Sequence, residues 1–267
     1  MNLDSGGFVS LLLFGLLAAG ANLVGGFVLI RSGAHRFGER FLKYLVALGA
    51  GFMLAAIFIE IVPESVSLWT MNLQGKGAAE AVVGAMTLLL AGYLLIQLFE
   101  HTIAPHFHFG AETHPESFMR PSAAYAAVGG LWIHTFFDGV SIAAAFLVNF
   151  RVGLLVFIAI LLHKMPEGFT VASIMLAAGR SSRTALMATI AIGAATLAGV
   201  IAVALLNTRI TGAVAFALPF SAGVTLYVAA SDLIPEVNHK EERNPTVSIV
   251  VFVGVALFYL LHKVIEG

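Results

Sequence analysis

The sequence contains no cysteine, so neither a disulfide framework nor a thiolate metal ligand is open to it. Charge is almost as scarce. Only 11% of the 267 residues are Asp, Glu, Lys or Arg, where a soluble domain spends about a quarter of its residues on them. Such a chain cannot cover itself with an ordinary solvated surface, which excludes a soluble enzyme. The 14 basic and 15 acidic residues leave a net charge of −1 and no basic patch for nucleic acid. Long polar segments are also missing. Only residues 100–121 make a sizeable connection, leaving no room for a soluble catalytic or regulatory domain.

Apolar residues make up 59% of the chain, and the mean hydropathy is +0.95. Eight apolar stretches of about 18–27 residues can each cross the ~30 Å hydrocarbon core, too long and unbroken for barrel strands. They predict helices near Phe8–Ile30, Phe41–Val62, Ala78–Phe99, Ser122–Val148, Val152–Ala178, Thr184–Asn207, Thr211–Leu233 and Thr246–Lys263. The expected fold is an all-α integral membrane protein, one transmembrane unit over residues 1–267, with the lipid bilayer as its surroundings. The opening MNLDSGG lacks a basic n-region, so the first span reads as a retained helix.

Lys and Arg fall unevenly on the two sides. The odd-numbered connections hold nine: Arg31, Arg36, Arg40, Lys43, Arg120, Arg180, Arg183, Lys240 and Arg243. The other side holds four, Lys76, Arg151, Arg209 and Lys263, and Lys164 lies inside a span. The positive-inside rule therefore places both termini on the non-cytoplasmic side. The second and seventh spans also resemble each other. Ala50-Gly51-x-x-Leu54 with Glu60-x-x-Pro63-Glu64 matches Ala222-Gly223-x-x-Leu226 with Asp232-x-x-Pro235-Glu236 at a constant offset of 172. Because these spans run in opposite directions, the likeness reads as an inverted repeat, as in transporters that alternate access around a central site, or else Pro63-Glu64 and Pro235-Glu236 simply mark two helix ends.

Between the repeated parts lie His134-Thr-Phe-Phe-Asp138 and His163-Lys-Met-Pro-Glu167, in the fourth and fifth spans. A spacing of four puts each pair on one helix face, about one turn (~6 Å) apart, so both pairs can project into one space. Both histidines fall near mid-bilayer, where an ionisable side chain costs several kcal/mol unless it faces the interior and has a partner. Two imidazoles and two carboxylates form an N/O set that suits Zn²⁺ and accepts Fe²⁺, Mn²⁺ or Cd²⁺, whereas Mg²⁺ and Ca²⁺ prefer oxygen alone. The metal would be cargo, with no resident cofactor. Pro166 should free the carbonyl of Leu162 and kink the helix beside this site. Glu60 and Glu64 fall near one membrane face, Asp232 and Glu236 near the other. They read either as the two ends of a pathway or as solvated carboxylates.

These motifs resemble the ZIP (Zrt/Irt-like) family of divalent-metal transporters, of prokaryotic type. His134-Thr-Phe-Phe-Asp138-Gly139 is similar to that family's His-Asn-x-x-Asp/Glu-Gly, and His163-Lys-Met-Pro166-Glu167-Gly168 to its fifth-helix signature. Gly51-Phe52-Met53-Leu54-Ala55 and Asp232-Leu-Ile-Pro-Glu236 look like its second- and seventh-span motifs. The resemblance implies eight helices in a 3+2+3 inverted arrangement, transport toward the cytoplasm across the cell (inner) membrane, and the thioether of Met53 near the four ligands. A homodimer is one assembly open to such a bundle. Two positions depart from the pattern. Thr135 stands where the family often has Asn, and Lys164 where two-metal members carry an acidic ligand. An ammonium cannot ligate and repels a nearby cation. The expectation is therefore a single-metal centre in which Lys164 pairs with Asp138 or Glu167.

The loop after the third span holds His101, His106, His108 and His114, spaced either for loose metal capture or for a polar connection. His35, His239 and His262 stand alone near helix ends and read as solvated. The rival class is an intramembrane zinc-dependent hydrolase. The sequence offers it no His-Glu-x-x-His motif and no cysteine nucleophile, so no catalytic residue is assigned.

Overall fold

The computed structural model describes residues 5–32, 39–72, 77–102, 121–209, 212–235 and 245–266. Among these, helix is the regular structure throughout, and eight helices are long and apolar enough to cross a membrane. They are α1 (Ser5–Ser32), α2 (Glu39–Ala55, continuing below), α3 (Ala78–Thr102), α4 (Pro121–Val148), α5 (Phe150–Ala177), α6 (Ser182–Arg209), α7 (Ala213–Tyr227, continuing below) and α8 (Pro245–Glu266). Burial grades them. The most apolar windows of α2, α5 and α7 are 67% buried and that of α4 61%, against 17% for α3 and α8. The four inner helices thus surround the centre, while α3 and α8 turn most of their apolar surface outward, as lipid contact allows.

The second span is longer than its sequence suggests. Pro63 reads as a helix end, yet the helix passes through a π-helical segment, Ala56–Ile61, and continues as Val62–Asn72. Proline lacks an amide, and its ring strikes the carbonyl four residues back. A wide turn just before it shifts that carbonyl aside: the Val62 amide donates to Ile57, five residues back. The same device recurs in α7, which runs on as the π segment Val228–Leu233, with the Ile234 amide donating to Ala229 just before Pro235.

One residue, Asn149, separates α4 from α5. It is extended, and its side-chain oxygen accepts the Val152 amide at 2.9 Å, capping α5. So tight a turn fixes the register of the hairpin and brings the middles of two 28-residue helices to the same depth.

Four helix pairs approach closely through reciprocal glycines. A methyl group on Gly139 would overlap the Thr196 carbonyl, and one on Gly199 the Phe136 carbonyl, joining α4 to α6. Gly25 and Gly168 meet Met165 and Asn22 in the same way between α1 and α5. Gly51 and Gly254 join α2 to α8, and Gly92 and Gly223 join α3 to α7. Hydrocarbon gives no hydrophobic drive for helices to associate, so close backbone packing at small residues takes over that role.

Candidate metal centre

His134, Asp138, His163 and Glu167 each offer a ligand atom, and these four atoms lie within 4.8 Å of one another. All four residues are buried. Spacing alone leaves Asp138 and Glu167 far apart along the hairpin, since Asp138 follows His134 toward the α4–α5 turn while Glu167 follows His163 away from it. Side chains on a helix lean toward its N-terminus. In two antiparallel helices that tilt carries the two carboxylates toward each other and closes the gap.

The Nε2 atoms of His134 and His163 both lie 3.2 Å from Asp138 Oδ2, and the imidazole centroids are 5.7 Å apart. The His134 contact is off hydrogen-bond geometry. Among the described residues, neither nitrogen of His134 nor Oδ1 of Asp138 has a hydrogen-bond partner. Each such buried atom costs about 1–3 kcal/mol if left unpaired. His163 Nδ1 faces the Ala159 carbonyl at 3.4 Å, where it can only donate. A neutral His163 then turns the lone pair of Nε2 toward a carboxylate oxygen, an arrangement that calls for a cation between them.

Lys164 supplies one cation. It is fully buried, and its Nζ lies 2.6 Å from Asp138 Oδ2 and 2.7 Å from Glu167 Oε2. Thr135 Oγ1 donates to the other Glu167 oxygen, Oε1. Sequence suggested one partner for Lys164; it has both. Pro166 lies inside an uninterrupted α5, and the Leu162 carbonyl next to it packs near Gly49 of α2.

Met53 is fully buried and borders a small cavity with Ala56, Ile57, Ile61, Ser141, Val156, Ala159, Ile160 and Thr225. Ser141 lies one turn from Asp138, and Ala159 one turn from His163, both toward the α4–α5 turn. The cavity thus flanks the cluster on that side. The Ser141 hydroxyl has no partner among the described residues.

The outer carboxylates divide. Glu60, in the α2 π segment, is not a solvated headgroup carboxylate: it is 6% exposed, and its Oε2 lies 2.7 Å from His262 Nδ1 of α8. This corrects the reading of His262 as solvated. That ring is buried and stacks on Phe258 at 6.2 Å. Glu64 is half-buried one turn beyond Glu60. At the other end Asp232 is half-buried near Glu100, which accepts the Tyr227 hydroxyl at 2.9 Å. His101 is exposed, with Nδ1 2.8 Å from the Gln97 carbonyl. Glu236, His106, His108, His114, His35 and His239 lie outside the described residues.

Sequence reasoning passed over Asn22, which is fully buried in α1 with both amide atoms unpartnered among the described residues. Its position in the middle of an apolar run was the available signal. Ser141 was hidden because a serine in a transmembrane helix ordinarily bonds its own backbone.

A buried imidazole–carboxylate cluster at the middle of eight membrane-length helices defines a metal-transporting membrane protein. A family model described as ZIP Zinc transporter matches residues 111–262, which include all four clustered residues. The chain is 30% identical to Zinc transporter ZIP9 of Micropogonias undulatus, covering 76% of this chain and 78% of that protein. It is 29% identical to Zinc transporter ZIP9 of Xenopus tropicalis over 80% and 82% of the two chains. With Zinc transporter ZIP13 of Homo sapiens it shares 24% identity over 84% and 72%. The chain belongs to the ZIP zinc transporter family.

Proposed function

We propose that the protein carries a divalent transition metal, zinc ahead of iron, manganese or cadmium, across the cell membrane toward the cytoplasm. One ion at a time passes through His134, Asp138, His163 and Glu167. The observation that carries this reading is the convergence of four buried ligand atoms within 4.8 Å of one another. Among the described residues both nitrogens of His134 and Oδ1 of Asp138 lack a hydrogen-bond partner, which supports it, because a metal ion would satisfy them. The mixed N/O donors favour zinc over magnesium or calcium.

Transport toward the cytoplasm is what the family resemblance implies, and the orientation of the bundle rests on the positive-inside count, which puts the α4–α5 turn outside. On that orientation Asp138 is the outermost of the four and Glu167 the innermost. Met53, beside the adjoining cavity, takes a supporting place on the outer approach. Glu60 and Glu64 stand on the way in, and Asp232 and Glu236 on the way out. His101, His106, His108 and His114 belong to the cytoplasmic side. A 3+2+3 inverted arrangement is supported by the two π segments, which fall 172 residues apart like the sequence motifs. The glycine crossings support it too, since α1–α5 answers to α6–α4 and α2–α8 to α7–α3. Two such halves can rock against each other around a central site.

Uptake into liposomes by the purified protein tests the reading. His134→Ala and Glu167→Ala should each abolish zinc uptake while the protein stays folded and inserted, and zinc-edge anomalous scattering should peak among the four residues. Normal uptake by either variant removes the proposed site. Absence of flux for zinc, iron, manganese and cadmium, with cleavage of a lipid or peptide instead, removes the transport reading altogether.

A further inference from the structure

A carrier that releases its ion must return unloaded, and here that would leave two carboxylates facing each other in a buried space. The cost of such uncompensated charge is large. Lys164 is placed to meet it. Its ammonium is fully buried and bridges Asp138 Oδ2 and Glu167 Oε2 at 2.6 and 2.7 Å.

The bridged oxygen of Asp138 is also the one on which both imidazoles converge, each Nε2 lying 3.2 Å away. Zinc–oxygen bonds are about 2.0–2.2 Å long, so a metal on Oδ2 would sit less than about 5 Å from the ammonium in a medium that screens poorly. Metal and ammonium therefore compete for this oxygen. A lysine stem has four rotatable carbons and can withdraw. Glu167 need not collapse when it does, because Thr135 holds Oε1 separately from the ammonium on Oε2.

Resting on the transport reading above, we propose that Lys164 is a tethered counter-ion which alternates with the metal at Asp138 and Glu167, so that the unloaded centre can re-cross without a second ion as passenger. It is a positioning residue for the return half of the cycle. Loaded and unloaded centres then differ by the exchange of one internal cation for the cargo. Binding and the loaded crossing do not require the lysine, whereas the return does.

Two assays on the full chain in liposomes separate these halves. Net uptake of zinc into zinc-free vesicles requires the unloaded return. Exchange of radioactive zinc between equal concentrations on both sides does not. Lys164→Met should lower net uptake by at least about tenfold, as an uncompensated buried carboxylate pair demands, while exchange stays within about twofold of the wild type. Lys164→Arg, which keeps a cation, should recover part of the net uptake. If the Met variant is not recovered folded, Lys164→Gln carries the same comparison.

Loss of net uptake and exchange by the same factor would assign Lys164 a structural role and overturn the inference. No change in either would also overturn it, as expected if flux is channel-like. Wild-type protein showing neither activity removes the transport reading, and the inference with it. Wild-type activity with a parallel loss in the variants removes the inference alone.

Discussion

His262 Nδ1 lies 2.7 Å from Glu60 Oε2, and both side chains are withdrawn from solvent although His262 stands in the last turns of α8. The contact ties α8 to the π segment of α2, the segment that lets the second span continue past Pro63. Removing one of two buried polar partners leaves the other without its contact, at a cost of about 1–3 kcal/mol.

Thermal unfolding in detergent should show it. His262→Ala and Glu60→Ala are each expected to destabilise the protein by about 1–3 kcal/mol. The double variant should cost clearly less than the sum of the two, the signature of direct coupling. Additive losses would mean that the two residues contribute independently.

Thr135 acts through Glu167. Its hydroxyl donates to Oε1, and a hydrogen bond to a charged group contributes about 1.5–3 kcal/mol. Thr135→Val preserves the shape and deletes the donor, so zinc affinity measured by calorimetry should weaken by about tenfold or more. Thr135→Ser should stay near the wild type. Equal affinity in the Val variant would show that Glu167 holds its position without help.

The central four residues were legible in the sequence because two constraints acted together. Spacing of four placed each pair on one face, and position halfway along an apolar run gave each a cost that only a shared purpose explains. His262 failed the second test: a lone histidine near a span's end looks the same whether it reaches water or turns inward to Glu60. Pro63 misled for a related reason. A proline marks a helix end unless the backbone widens just before it, and whether it widens depends on packing around Ala56–Ile61 that no local pattern encodes. Lys164 was half-legible. Its pairing followed from charge, but its grip on both carboxylates follows from the opposed side-chain tilts of two antiparallel helices.

Glycine crossings give a sharply local prediction. A methyl at Gly168 would overlap the Asn22 carbonyl of α1, a backbone atom that cannot swing aside, whereas nothing lies within 4 Å of one at Gly20 in the same α1. Overpacking costs about 1–3 kcal/mol or more, and replacing an open helical glycine by alanine gains up to about 1 kcal/mol. Gly168→Ala should therefore lower the unfolding temperature and the transport rate together, because Glu167 is its neighbour in sequence. Gly20→Ala should leave transport unchanged and keep or raise the unfolding temperature. Similar behaviour of the two variants would remove the close crossing of α1 and α5 as a determinant of the site.

The number of ions at the centre follows from the same charge that sets its return. Displaced by the first ion, the Lys164 ammonium stays tethered beside Asp138 and Glu167, so a second metal would meet its positive charge at about 4 Å, a repulsion near 4 kcal/mol at an effective dielectric of about 20. Wild-type protein equilibrated with zinc should bind one ion per chain at these residues, counted by elemental analysis against protein concentration after removal of loosely held metal. Lys164→Asp replaces the repelling ammonium by a carboxylate beside Asp138 and Glu167, and the count should rise to two. Lys164→Ala should leave it at one, since deleting the charge supplies no ligand. Two ions in the wild type would mean that the displaced ammonium leaves the neighbourhood of the second position altogether, and the single-metal reading would fall.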